Sequence, residues 1–226
     1  MVRGKIGHFG RRVAWLQIAG GVVLCAPLLL IGASRADSAN EVLPLVRAAS
    51  LTLATTSVFA LHDPASPVTE VTPPGRWHLR SAAAALTFVV VVSVWAALVW
   101  LSDAFTASSV RSLAPGSSVE LLAMFTTGLA ISSATQRSTS VRVAPSWAAA
   151  ALVLAFVATL TDARVRSWLW VEPGPQWNRA HVRWAALAAF GVVAFAWSSR
   201  DPARRVMRTG VNRSGDRARQ DHEVSA

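Results

Sequence analysis

From Val13 to Ala33 the chain runs 21 residues without a charge. A helix of that length covers the ~30 Å of a bilayer's hydrocarbon at 1.5 Å per residue. Apolar blocks recur at 42–61 and 81–101, and shorter ones at 119–135, 146–161 and 182–198. Charged residues make up only 15% of the chain and hydrophobic ones 53%, where a soluble domain carries about 25% charge. The expected fold is therefore all-α, an integral membrane bundle of about six transmembrane helices. Residues 1–12 form an N-terminal tail and 13–198 the transmembrane domain. The Arg-rich residues 199–226 hold too few large apolar side chains to fold and are expected to be disordered.

A secretory signal peptide is the alternative reading of the first block, with Ser34-Arg35-Ala36 as a poor cleavage site; its length exceeds the ~7–15 apolar residues of such a segment. The last three blocks hold 16 or 17 residues and reach only about 24–26 Å. Five spans, or a re-entrant pair, stand as alternatives to six.

The arginines orient the bundle. Placing both termini in the cytoplasm puts fifteen of the 22 basic residues inside, among them Arg3, Lys5, Arg11 and Arg12 before the first block and seven in the tail. Seven fall outside: Arg35, Arg47, Arg111, Arg164, Arg166, Arg179 and Arg183. The split follows the positive-inside rule. It also gives the net charge of +10 an explanation other than nucleic acid, which is not expected as a partner. Trp15, Trp147 and Trp197 fall near inner ends and Trp100 near an outer one, while Trp168, Trp170, Trp177 and Trp184 gather at the last outer loop, where amphipathic rings anchor at headgroups. Only Trp95 falls well inside a span. The segment 164–171, RVRSWLWV, reads either as a helix flat in the outer interface or as an anchored loop.

Catalytic chemistry is not expected. The five histidines lie in tails or near span ends, Cys25 is the sole cysteine, and HExxH and GxSxG are absent. A phosphate loop needs a lysine at the terminal phosphates, and Lys5 is the only lysine. No enzyme activity, cofactor or metal follows from these residues. The charges to weigh inside the spans are Arg47 and Glu120. Arg47 can reach up to the interface, or the two can pair near the outer side, since a charge in a span faces the bundle interior and finds a partner. Thr126, Thr127, Ser132 and Ser133 either line a polar path or bond to backbone. Ala148, Ala151, Ala155 and Ala158 make a narrow stripe that suits close helix packing.

The inner loop after the second block reads LHDPASPVTEVTPPGRWHLR, from Leu61 to Arg80. Its prolines at 64, 67, 73 and 74 restrict φ and stiffen it. In Asp63, Pro64, Ala65, Pro73, Pro74, Arg76 and Arg80 it resembles the six-span ABC-transporter permeases of the exporter class found in GC-rich Gram-positive bacteria, whose second span ends in an acidic Asp-Pro-Ala-like stretch. The resemblance implies a bacterial cell-membrane efflux permease. Its partners would be a cytoplasmic ATPase subunit that hydrolyses ATP, a second permease subunit, identical or not, and the lipid bilayer. Asp63, Pro64, Glu70, Arg76 and Arg80 would form the ATPase-coupling loop. The chain departs from those exporters in its short last outer loop, where they carry a re-entrant hairpin. The rival expectation is a non-transporting membrane scaffold or accessory subunit.

Overall fold

The computed structural model describes residues 15–61, 76–106, 110–138 and 143–199. Among them are seven α-helices: α1 Trp15–Arg35, α2 Ala39–Ser57, α3 Arg76–Asp103, α4 Ala114–Ser138, α5 Ala144–Thr161, the short α6 Ala163–Leu169, and α7 Trp177–Ser198. Short 3-10 turns, Val58–Leu61 and Val110–Leu113, extend α2 and lead into α4. The coupling-loop residues Asp63, Pro64 and Glu70 lie outside the described residues, as do the N-terminal tail and residues 200–226.

Local sequence explains the helix ends. Three residues join α1 to α2, which forces the two antiparallel. There the Glu41 carboxylate reaches back to the amide of Asp37 at 3.1 Å and to the Ser38 hydroxyl at 3.3 Å, an acceptor where a helix start leaves donors unpaired. Pro145 stands in the first turn of α5, where its missing N–H costs nothing. Asp162 ends α5 and caps α6, accepting from the amides of Arg164 and Val165 at 2.8 and 3.2 Å. Pro27 inside α1 removes the amide hydrogen that would bond to Val23, a loss that membrane helices tolerate.

α4 is the axis of the bundle. It packs most extensively on α7 and also on α2, α5 and α3; α1 closes the far side against α2 and α3. The outward surfaces are apolar. Leu16, Val23, Leu24 and Leu28 of α1, Leu154 of α5, and Val182, Phe190 and Val193 of α7 all stand exposed, Phe190 by 72%. The hydroxyls of Ser50, Ser57, Thr87, Ser102, Ser117, Ser132 and Ser133 are buried. An apolar outside around a polar inside suits lipid as solvent. Together with five stretches long and apolar enough to cross a membrane, it makes the protein a multi-pass membrane helical bundle.

Those five are Trp15–Arg35, Arg80–Asp103, Val110–Gln136, Ala144–Thr161 and Trp177–Ser198. The second expected span is not among them. It is helical over 19 residues, about 28 Å, but Asn40, Glu41, Arg47 and a run of Ser and Thr make it too polar to face lipid. It is sheltered instead, with nine of its residues buried. The fourth and last spans are longer than the expected 119–135 and 182–198, at 25 and 22 residues, because Arg137 and Arg179 sit within helices and do not end them.

Buried polar groups find partners between helices. The Trp95 indole on α3 donates to Ser50 Oγ on α2 at 3.0 Å, which places this ring inside the bundle. Replacing Trp95 by Phe keeps most of its area and removes that donor. A loss of about 1 kcal/mol in detergent unfolding is expected, and a neutral result would show the bond to be without net value.

Candidate functional site

At the end of the bundle where the connections 36–38 and 162–176 and the 3-10 turn Val110–Leu113 lie, three helices converge on one carboxylate. Glu120 lies six residues into α4, Arg47 eight residues into α2, and His181 four residues into α7. These depths are about 9, 12 and 6 Å along the respective axes. Arg47 turns inward: its Nε donates to Glu120 Oε2 and its Nη2 to Glu120 Oε1, each at 2.9 Å. The parallel pair of bonds matches the planar fork of guanidinium to carboxylate. Side-chain exposure is 9% for Arg47 and 0% for Glu120, so the structure departs from the reading in which Arg47 extends to the interface.

The connection between α5 and α7 roofs this pair. Arg47 Nη2 also donates to the carbonyl of Val171 at 3.0 Å. Its guanidinium carbon lies 5.0 Å from the ring centre of Trp170 and 5.9 Å from that of Trp177, close enough for the ring quadrupoles to attract the cation. Trp170 is itself fixed by edge contacts with Phe156 of α5 and Trp184 of α7 at 4.9 and 5.0 Å. Its indole donates to Thr159 Oγ1 at 2.9 Å, and that of Trp184 to the Leu169 carbonyl at 3.0 Å. Arg183 anchors α6 from beneath, donating to the Trp168 carbonyl at 2.7 Å with its guanidinium 4.3 Å from that ring's centre. The segment 164–171 thus begins as a short exposed helix and ends with Trp170 inserted into the bundle.

His181 completes the cluster. Its Nε2 lies 3.4 Å from Glu120 Oε1, its Nδ1 lies 2.7 Å from the Trp177 carbonyl oxygen, and its ring centre is 4.2 Å from that of Trp177. Gly116 makes the approach possible. A Cβ there would stand 2.5 Å from both His181 Nε2 and Trp177 Cζ2, inside any van der Waals contact.

The structure thus brings Arg47 and Glu120 together and adds His181, Trp170, Trp177 and the Val171 carbonyl, none of which the sequence singled out as site residues. A signal for two of them existed. Trp177, His181, Trp184, Ala188 and Gly191 recur at helical spacing, the face that α7 buries. The signal shows only if the helix starts at Trp177 rather than at Val182. Trp170 and Trp184, expected in a headgroup belt, are buried, while Trp100, Trp147, Trp168 and Trp197 are exposed.

The other sequence candidates lie apart from the cluster. Thr126 bonds to the carbonyls of Leu122, Ala123 and Ala188, Ser132 to that of Val58, and Ser133 to Ser199, so these hydroxyls join helices. In the alanine stripe Ala148 is buried but Ala155 and Ala158 are exposed, so among the described residues only the start of the stripe packs. Arg76 starts α3, and Arg80 one turn later donates through Nη2 to Gln136 Oε1 on α4 at 2.6 Å. Among the described residues no three His, Cys, Asp or Glu side chains are grouped to hold a metal. Comparison with family models, curated proteins and solved structures gives no match.

Proposed function

We propose that the chain is the membrane-spanning permease subunit of an ATP-driven export complex in the cell membrane, with ATP hydrolysed by a separate cytoplasmic subunit. The observation that supports this reading is the continuity of α3. Its 28 residues, about 42 Å, exceed the hydrocarbon thickness, so the turn at Arg76 extends the helix beyond the apolar stretch that begins at Arg80 and toward the proline-rich loop. A rigid helix carries a displacement along its length. The Arg80 bond to Gln136 ties α3 to α4, the element with the most neighbours. A partner pulling on the loop would therefore act on the axis of the bundle.

The scaffold reading has an observation of its own: of the hydroxyls that suit a polar path, those of Thr126, Ser132 and Ser133 bond across to neighbouring elements. The two readings separate on the loop's charges. Reversing Asp63 and Arg76, singly and together, is expected to abolish co-purification of a Walker-type ATPase and its stimulated hydrolysis, at normal membrane levels of the chain. A solvated linker tolerates such changes within about ±0.5 kcal/mol. Unchanged copurification and hydrolysis in all three variants would favour the scaffold.

A further inference from the structure

The hydrogen positions at His181 follow from its neighbours. Nδ1 lies 2.7 Å from the Trp177 carbonyl, which only accepts, so Nδ1 carries a hydrogen and donates it. Nε2 is buried, faces Glu120 Oε1 at 3.4 Å and makes no hydrogen bond in this arrangement. In the neutral ring with its hydrogen on Nδ1, Nε2 turns a lone pair toward a carboxylate, an acceptor like itself. The other neutral tautomer sets the Nδ1 lone pair against the Trp177 carbonyl. Only a ring protonated on both nitrogens is matched on both sides. The ring lies close against α4 at Gly116, where an added Cβ would stand 2.5 Å from Nε2. The charged groups acting on it are Glu120 from α4 and Arg47 from α2. The loop before α7 brings the Trp170 ring and the Val171 carbonyl to Arg47.

We propose that Glu120, Arg47 and His181 form a proton-binding site that latches the start of α7 and the roofing loop to α4. A proton taken from water adds to the lone pair of His181 Nε2. The donor is hydronium of the bulk, whose O–H bond breaks to leave water as the N–H bond forms, and the contact with Glu120 becomes a charge-assisted hydrogen bond. With the proton bound, one carboxylate joins the guanidinium on α2 to the imidazolium on α7. Without it, the Trp177–His181 turn has no polar hold on Glu120, while the roofing loop keeps its bonds to Arg47, Thr159 and Trp184. The assignment goes beyond the export reading and stands equally for a scaffold.

Nitrogen-15 spectra of histidine-labelled full-length protein in lipid nanodiscs test it. At about pH 6 the ring coupled to the Glu120 carboxyl should carry hydrogens on both nitrogens, and at about pH 9 on one. Tryptophan emission should step at the same midpoint, because a protonated imidazole quenches the adjacent Trp177 indole. The step should vanish in His181→Gln and in Trp177→Phe. In Glu120→Gln the ring at about pH 6 should be singly protonated. A wild-type ring holding one hydrogen throughout that range, or an emission step that survives His181→Gln, would overturn the assignment. The wild-type spectrum decides even where a variant fails to fold.

Discussion

Glu120→Ala is expected to destabilise the detergent-solubilised protein by about 3–5 kcal/mol, because it strands a buried guanidinium without its counter-charge. Total stabilities are only ~5–15 kcal/mol, so the variant should unfold at much lower denaturant or temperature. Arg47→Met should do the same from the other side, and it also removes the donor to Val171. The double variant Arg47→Met, Glu120→Leu should be more stable than either single one, since an apolar pair of similar volume needs no partner. Exchanging the two charges should recover less. A carboxylate on α2 can neither donate to the Val171 carbonyl nor sit favourably beside the Trp170 face. Unfolding midpoints of Arg47→Met, Glu120→Leu and their double variant give the coupling, and simple additivity would mean that the two side chains act independently.

The second large effect is expected at Gly191, where α7 meets the bundle axis. A Cβ added there would lie 2.6 Å from Thr126 Oγ1 and 2.9 Å from the carbonyl carbon of the same residue. A hydroxyl can rotate, but a backbone atom moves only with its helix, so α4 and α7 must separate along their whole contact. Gly191→Ala is expected to lose about 1–3 kcal/mol, the usual cost of overfilling a packed interior, although alanine is the better helix former. Gly20 supplies the control, since a Cβ there meets nothing within 4 Å. Gly20→Ala should be neutral or gain ~0.5–1 kcal/mol. Equal responses at the two positions, read from thermal unfolding in one detergent, would refute close packing at Gly191.

Helix class and approximate span positions were legible because charge-free blocks of membrane length leave few other folds. Their ends were not. Arg183 and Glu120 look like boundaries in a linear reading, yet the first stacks on Trp168 and the second accepts from Arg47, and a satisfied charge can lie inside a helix. Arg47 and Glu120 stood out as isolated charges, but their facing depended on the rotation of α2 and α4, which hydropathy does not encode. The His181 ring was hidden by position, since a histidine near a span end looks like an interfacial residue. Trp170 misled for a related reason: membrane belts and buried aromatic plugs use the same residue, and only the fold of the loop after α5 separates them. The residues that carry the permease resemblance lie mostly in 62–75, outside the described residues.

The ion pair sets a schedule for the protein's own synthesis. Arg47 and Glu120 are 73 residues apart in the chain, and at ~5–20 residues per second a ribosome needs roughly 4–15 s to make that interval. Throughout it α2 has emerged without its counter-charge, and a centrally placed arginine costs roughly 2.5–3.5 kcal/mol on insertion scales. Among the described helices, α2 is therefore the one whose place in the bilayer leans on a partner made later, since Glu120 of α4 supplies the counter-charge to Arg47.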